Sequence, residues 1–255
     1  MKLDIEQFPC LSDNYGLLAH EPTQNKTAAI DTPDAAPILA ALKRRGWQLD
    51  TIFNTHHHGD HTGGNLALKE ATGCEIVGPR SEADKIPGLD RAVAEGDEVQ
   101  LGAAKARVLE VGGHTLGHIA FHFADADLAF VGDSLFSLGC GRMFEGDAEQ
   151  MWRSLAKLKA LPPATLLYCA HEYTQGNARF ALSVDGDNAA LKARAEEIAQ
   201  QRAADKPTVP TRLAQELATN PFLRPDDAKI RAALNMPHAS DVEVFAELRR
   251  RKDAF

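Results

Sequence analysis

The chain has 255 residues, with 28 Lys and Arg against 36 Asp and Glu, for a formal charge of −8. That length suits one large domain or a main domain with a smaller second one, and 44% apolar with 25% charged residues is ordinary for a globular protein. A net anion disfavours nucleic acid, and no apolar run reaches the roughly 18 residues of a membrane span.

In chain order, the first two-thirds alternates short apolar runs with turn-rich segments, which predicts a sheet-based domain with interspersed helices. The run 27–30 leads to Asp31. Ile38, Leu39 and Leu42 stand at helical spacing over residues 37–45, with Asp34 placed as N-cap and Gly46 as the stop. Residues 49–55 read as a strand, followed by a helix expected near Gly64. Further strand-like runs are 75–77, 106–111, 119–123, 128–131 and 165–169. A helix is predicted over residues 148–160, capped by Asp147, with Met151, Leu155 and Leu158 on one face. Past Tyr173 the composition turns helical: 191–202, 211–219, and a terminal helix opened by the capping box Ser240-Asp241-Val242-Glu243. No strand is expected there, and the division predicted is 1–173 and 174–255.

The histidines are unevenly placed. Eight of ten lie between His56 and His171, and four fall within six residues in Thr55-His56-His57-His58-Gly59-Asp60-His61. Strand alternation would put His56 and His58 on one side and His57 on the other. Imidazole and carboxylate are ordinary ligands for zinc, iron or manganese. Three further candidates, His114, Asp133 and His171, each follow an apolar run, where α/β proteins build their sites. Asp133 is the natural carboxylate to bridge two cations. Asp31 is expected to support the metal loop, His118 to orient a ligand, His57 to sit behind the ligands and His122 to be structural. The four scattered cysteines, with no CxxC, read as free thiols in a reducing cytoplasm.

His56-x-His58-x-Asp60-His61 with His114, Asp133 and His171 resembles the metallo-β-lactamase superfamily, and within it the hydroxyacylglutathione hydrolase (glyoxalase II) family. Supporting segments run in order through the chain: Gly113-His114-Thr115-Leu116-Gly117-His118, Val131-Gly132-Asp133-Ser134-Leu135-Phe136, Gly139-Cys140-Gly141-Arg142, Ala170-His171-Glu172-Tyr173, Asn220-Pro221-Phe222-Leu223-Arg224 and Arg249-Arg250-Arg251-Lys252-Asp253. The resemblance implies an α+β fold, a four-layer αββα sandwich with a C-terminal helical domain that binds glutathione. It implies two divalent ions, zinc by expectation with iron or manganese as alternatives. One is held by His56, His58 and His114, the other by Asp60, His61 and His171, with Asp133 and a hydroxide bridging. Arg142, Tyr173, Arg249 and Lys252 match positions that bind the glutathione part. Phe144 stands where many relatives carry Tyr, and Arg142 where many carry Lys.

The activity implied is hydrolysis of S-D-lactoylglutathione to glutathione and D-lactate, with attack by the bridging hydroxide, in a cytoplasmic monomer. The alternative within the superfamily is a glutathione persulfide dioxygenase with a single iron. Gly132-Asp133-Ser134-Leu135 spells a serine-esterase signature and Ser154-x-x-Lys157 a serine β-lactamase one, but neither has its companion motifs. A non-catalytic metal-binding protein is the reading from another class.

Overall fold

The computed structural model describes residues 2–255. They fall into two compact units, one holding the chain up to Glu110 with Thr115–Gly132, the other Val111–His114 with Asp133–Phe255.

In the first unit, β1 (Asp4–Cys10), β2 (Asn14–Glu21), β3 (Lys26–Ile30), β4 (Thr51–Phe53), β5 (Glu75–Pro79) and β6 (Arg91–Val93) lie side by side in that order. β1 to β3 are antiparallel, and β3 to β6 are parallel. Parallel neighbours require crossovers, and helices supply two of them. α1 (Ala35–Arg45) joins β3 to β4, while α2 (Gly59–Thr62) and α3 (Asn65–Thr72) join β4 to β5. α1 starts where Asp34 accepts from the Ala36 N–H and stops at Gly46, whose φ of 66° suits glycine. Its Ile38, Ala41 and Leu42 pack with Leu18, Ala29, Ile52 and Ile76 of the sheet and with Leu68 of α3.

A second sheet of the same unit is an antiparallel meander of β7 (Glu98–Leu101), β8 (Ala104–Glu110), β9 (Ile119–Phe123) and β10 (Leu128–Gly132). The Phe53 and Phe121 rings stack at 5.0 Å, and both are fully buried. Each such side chain contributes about 1.5–3 kcal/mol through burial. Buried Glu21 ties the two sheets together, accepting from the N–H groups of Thr23, Gln24 and Ala103.

The second unit holds the hairpin β11 (Leu135–Phe136) and β12 (Gly139–Cys140), and the antiparallel pair β13 (Leu166–Cys169) and β14 (Thr211–Arg212). Its helices are α4 (Ala148–Lys159), α5 (Thr174–Val184), α6 (Ala189–Ala203), α7 (Leu213–Thr219), α8 (Ala228–Leu234) and α9 (Asp241–Asp253). Leu138, Ala178, Ala181, Leu191 and Ile198 form one of its cores. Beside it Arg194 is buried but fully engaged, pairing with Glu216 and donating to Thr219 Oγ1 at 2.6 Å, Thr211 Oγ1 at 2.7 Å and Ser137 Oγ at 2.9 Å. The expected caps of α4 and α9 are present.

The structure departs from the sequence reading at several elements. The strand expected over 49–55 ends at Phe53, because Asp31 accepts from the Thr55 N–H and takes that residue out of the ladder. The tail does contain a strand: Thr211 and Arg212 pair with Leu167 and Leu166, so the helix expected from 211 begins at Leu213. β1 and β2 were not expected. Pro9 argues against a strand interior, yet β1 is an edge strand, where proline is tolerated. α5 is also unforeseen, since Thr174, Gly176 and Asn177 are poor helix formers. Among the described residues no helix is long and apolar enough to cross a membrane.

Candidate active site

The first unit brings His56, His58, Asp60 and His61 together. The chain leaves β4, runs irregularly through Thr55 to His58 and turns through α2. His56 and His58 face each other, Nε2 to Nδ1 at 3.1 Å, and the His56 and His61 ring centroids lie 4.0 Å apart. His57 points elsewhere, as expected, although a coil and not strand alternation turns it. Asn14 donates to Asp60 Oδ2 at 3.1 Å, and Asn54 to the His61 carbonyl at 2.9 Å.

Hydrogen bonds determine which ring nitrogens are left to bind. Asp31 Oδ2 lies 2.8 Å from Thr55 Oγ1 and 2.8 Å from His61 Nδ1. A carboxylate only accepts, so both groups donate to it. The Thr55 hydroxyl, having spent its proton, accepts from His56 Nδ1 at 3.0 Å. His56 and His61 therefore carry their protons on Nδ1 and present Nε2 lone pairs. The His61 lone pair lies 3.5 Å from Asp60 Oδ2.

The second unit groups His114, Asp133 and His171. Asp133 Oδ2 lies 3.4 Å from His114 Nε2 and 3.3 Å from His171 Nε2. His114 donates through Nδ1 to the Arg142 carbonyl at 2.8 Å, which again leaves Nε2 as the lone pair. At His114 an acceptor thus faces a carboxylate acceptor, a repulsive arrangement unless a cation stands between them. All three side chains are at most 8% exposed, so water screens them little. The donor set fits a divalent metal, as His and Asp clusters of this kind do.

Close backbone packing holds these residues. Gly132, just before Asp133, has φ of 49°, and a Cβ there would lie 2.5 Å from Thr55 Oγ1. A Cβ at Gly141 would lie 2.0 Å from the Asp133 carbonyl oxygen. The Tyr173 ring lies flat on His171, 4.7 Å away and 2° from parallel, and the Phe144 ring stands edge-on to His114 at 5.2 Å. Phe144 is 63% exposed.

Of the basic run in α9, Arg250 and Arg251 pair with Glu247. Arg249 is buried, donating to the Cys140 carbonyl at 2.9 Å and to Asp253 at 2.7 Å. Arg142 reaches the same Asp253 at 3.8 Å with its side chain 64% exposed. Lys252 lies over the Phe180 and Phe255 rings and 3.5 Å from the Gly176 carbonyl. Burial lowers its pKa, and Arg249, Arg179 and Arg142 lower it further. Arg179, on the exposed side of α5, is the cation the sequence reading missed; nothing local to α5 pairs it with residues seventy positions away.

Asp31, expected to support this loop, does accept from Thr55 and His61, whereas Glu82 was not among the residues expected at the centre, yet it holds His57. Asp31 ends an apolar run, a signal the sequence does carry. Glu82 lies in a charged stretch that reads as solvated surface. His118 stacks on His56 at 4.5 Å, and half-buried His122 has its pKa lowered by burial and by Arg107. The serine motifs are spent: Ser134 donates to the Val111 carbonyl at 2.9 Å and Ser154 to the Gly112 carbonyl at 2.6 Å, both buried. All four cysteines are free and buried, and burial pushes Cys140 up to about 11 and Cys169 up to about 12.

A family model described as the metallo-beta-lactamase superfamily matches residues 21–171, and one described as the hydroxyacylglutathione hydrolase C-terminus matches residues 172–255. The chain is 57% identical over 253 residues to a hydroxyacylglutathione hydrolase of Methylococcus capsulatus, covering 99% of each. It is 58% identical over 254 residues to a protein of the same name from Hyphomonas neptunium, covering 99% of this chain and 98% of that one. The solved structure of ETHE1 from Myxococcus xanthus superposes with a TM-score of 0.70 at 25% identity, over 97% of this chain and 90% of that one. With both halves matched and more than half the residues shared with these relatives, the chain has the α+β metallo-β-lactamase fold and belongs to the hydroxyacylglutathione hydrolase family.

Proposed function

We propose that the protein is a thioesterase that hydrolyses S-D-lactoylglutathione to glutathione and D-lactate. The observation that carries this reading is the set of imidazole Nε2 lone pairs aimed at carboxylates, because it asks for cations where a hydrolase of this family needs them. The ligands proposed are His56, His58 and His114 for one ion, Asp60, His61 and His171 for the second, with Asp133 shared. Bound there, two divalent ions would supply Lewis acidity, lowering the pKa of a water from about 16 towards 7 and polarising the thioester carbonyl.

The chain's own residues do the rest. Asp31, Thr55 and the Arg142 carbonyl fix the imidazole tautomers before substrate arrives. Arg142, Lys252 and Arg249 offer positive charge to the carboxylates of glutathione, and Tyr173 offers a flat wall beside His171. The leaving thiol has a pKa of about 8.5, so its thiolate departs without a strong protein acid. A serine nucleophile is unnecessary, in keeping with the committed hydroxyls of Ser134 and Ser154. Relatives named hydroxyacylglutathione hydrolase favour this over single-iron persulfide oxidation.

The ions are taken as zinc, with iron and manganese able to use the same ligands. The free buried thiols suit a reducing cytoplasm, and a single chain carries the full set of proposed residues. The test is loss of thioester absorbance with S-D-lactoylglutathione, before and after chelation, with bound metal counted per chain. Turnover lost with the metal and restored by zinc or iron is the expected result. A fully metallated protein with no turnover would sink the assignment.

A further inference from the structure

Glu82 lies in the short turn of helix Arg80–Lys85, twenty-five residues beyond His57, and its side chain is 2% exposed. It does not face solvent as its charged neighbours do. One oxygen, Oε2, accepts from the His57 backbone N–H at 2.9 Å and from His57 Nδ1 at 2.8 Å. The other, Oε1, accepts from the Gly117 N–H at 2.8 Å. Gly117 is there because nothing larger fits: a Cβ would lie 2.7 Å from Glu82 Cγ and 2.1 Å from Ser81 Oγ.

The two segments so joined are those that hold the histidines. His57 sits between His56 and His58, and clamping both its backbone and its ring sets the direction in which its neighbours point. Gly117 precedes His118, whose buried ring stacks on His56 at 4.5 Å. One buried carboxylate therefore steadies His56 from two directions and His58 from one. We propose that Glu82 is a positioning residue for the metal-binding histidines, holding the 56–58 segment and the 117–118 turn in the arrangement that binds a divalent cation. This rests on the metal reading above. Groups that orient ligands from behind typically change metal affinity 10–100-fold when removed.

Glu21 provides an internal control. It too is a buried carboxylate accepting from three N–H groups, those of Thr23, Gln24 and Ala103, but it touches none of the histidines proposed as ligands. A residue that only stabilises the fold should behave like Glu21. In Glu82→Gln one accepting oxygen becomes an NH2 that must confront an N–H donor. Its zinc affinity, measured by chelator competition on full-length protein, is expected to fall about 10–100-fold. The visible spectrum of its cobalt-loaded form should change in intensity and position. Glu21→Gln should lower thermal stability while leaving zinc affinity and the cobalt spectrum as in the parent. His57→Leu and His57→Asn give a second pair that spares Glu82. Asn restores a donor where Nδ1 stood and should keep the affinity, whereas Leu should lose part of it.

Unchanged zinc affinity in Glu82→Gln, or an equal loss in Glu21→Gln, would overturn the proposal. A parent protein that binds no divalent ion would overturn both this and the metal reading. A parent that binds zinc but leaves S-D-lactoylglutathione intact would sink the substrate assignment alone, and Glu82 would still be judged on the affinities.

Discussion

Asp31 holds His61 by one nitrogen, with Oδ2 2.8 Å from Nδ1. The same carboxylate takes the Thr55 hydroxyl and N–H, so one side chain at the end of β3 sets two consecutive links of the chain that orients His56 and His61. Asp31 itself sits at φ of 56°, a left-handed conformation that Asp tolerates better than most residues. Replacing it with Ala should free the His61 ring to populate both tautomers. Nitrogen-15 NMR of the imidazoles should show Nδ1–H alone in the parent and a mixture in Asp31→Ala. A single Nδ1–H tautomer surviving in the variant would show that Asp31 does not set it.

Gly132 combines two demands, a φ of 49° and a Cβ position 2.5 Å from Thr55 Oγ1 and 2.8 Å from the His118 ring. Gly46, with φ of 66°, meets only the first, since nothing lies within 4 Å of its Cβ position. Gly46→Ala should cost about 1–2 kcal/mol of stability, the strain of left-handed backbone alone. Gly132→Ala should cost more, about 3 kcal/mol or above, because collision adds to strain. Urea unfolding of the two variants checks the order, and equal losses would mean that the site yields easily.

Lys252 is held below the ordinary lysine value first by burial and then by Arg249, Arg179 and Arg142, against the pull of Asp253. Its positive charge is consequently lost at a lower pH than that of an ordinary lysine. If the charge attracts the substrate's carboxylates, KM should rise on the alkaline side before a free lysine would titrate. Arg179→Gln removes one repelling cation, so the Lys252 pKa rises and the alkaline limb of the KM profile moves to higher pH. At neutral pH the same variant should raise KM several-fold and weaken its dependence on salt, since one attracting charge is gone. A profile that does not move would separate Arg179 from the binding surface.

Burial pushes the Glu21 carboxyl up, but hydrogen bonds from Thr23, Gln24 and Ala103 outweigh it and hold the group at about 2 against an ordinary 4.5. A depressed carboxylate contributes stability that is fully present above its unfolded value and fades as pH falls through the folded one. The difference in Tm between the parent and Glu21→Gln should therefore be largest above pH 4.5 and shrink towards pH 2. A constant difference across that window would show that the hydrogen bonds do not depend on the charge.

Much of this protein was legible in the chain itself. The caps of α1, α4 and α9 stand where Asp34, Asp147 and Ser240 predicted them, because capping is a contact between residues two or three apart. The apolar runs that became β5, β8, β9, β10 and β13 announce themselves by composition, and the motif residues His114, Asp133 and His171 follow three such runs. Their identity as a candidate metal set was readable because few other roles explain histidines at those positions.

Tertiary structure decided what depends on residues far apart in sequence. β14 is two residues long and exists only because β13 offers it a ladder. Arg249, one of four adjacent cations in the sequence, is buried on the Cys140 carbonyl, while Arg250 and Arg251 turn to Glu247. The tautomers of His56, His61 and His114 follow from Thr55, Asp31 and the Arg142 carbonyl, and Glu82 meets His57 and Gly117 only in the folded chain. Local periodicity reports which groups are available for a site. Which nitrogen keeps its proton is settled by Asp31, directly at His61 and through Thr55 at His56, and by the Arg142 carbonyl at His114, partners tens of residues away, because hydrogen bonds and desolvation act through space.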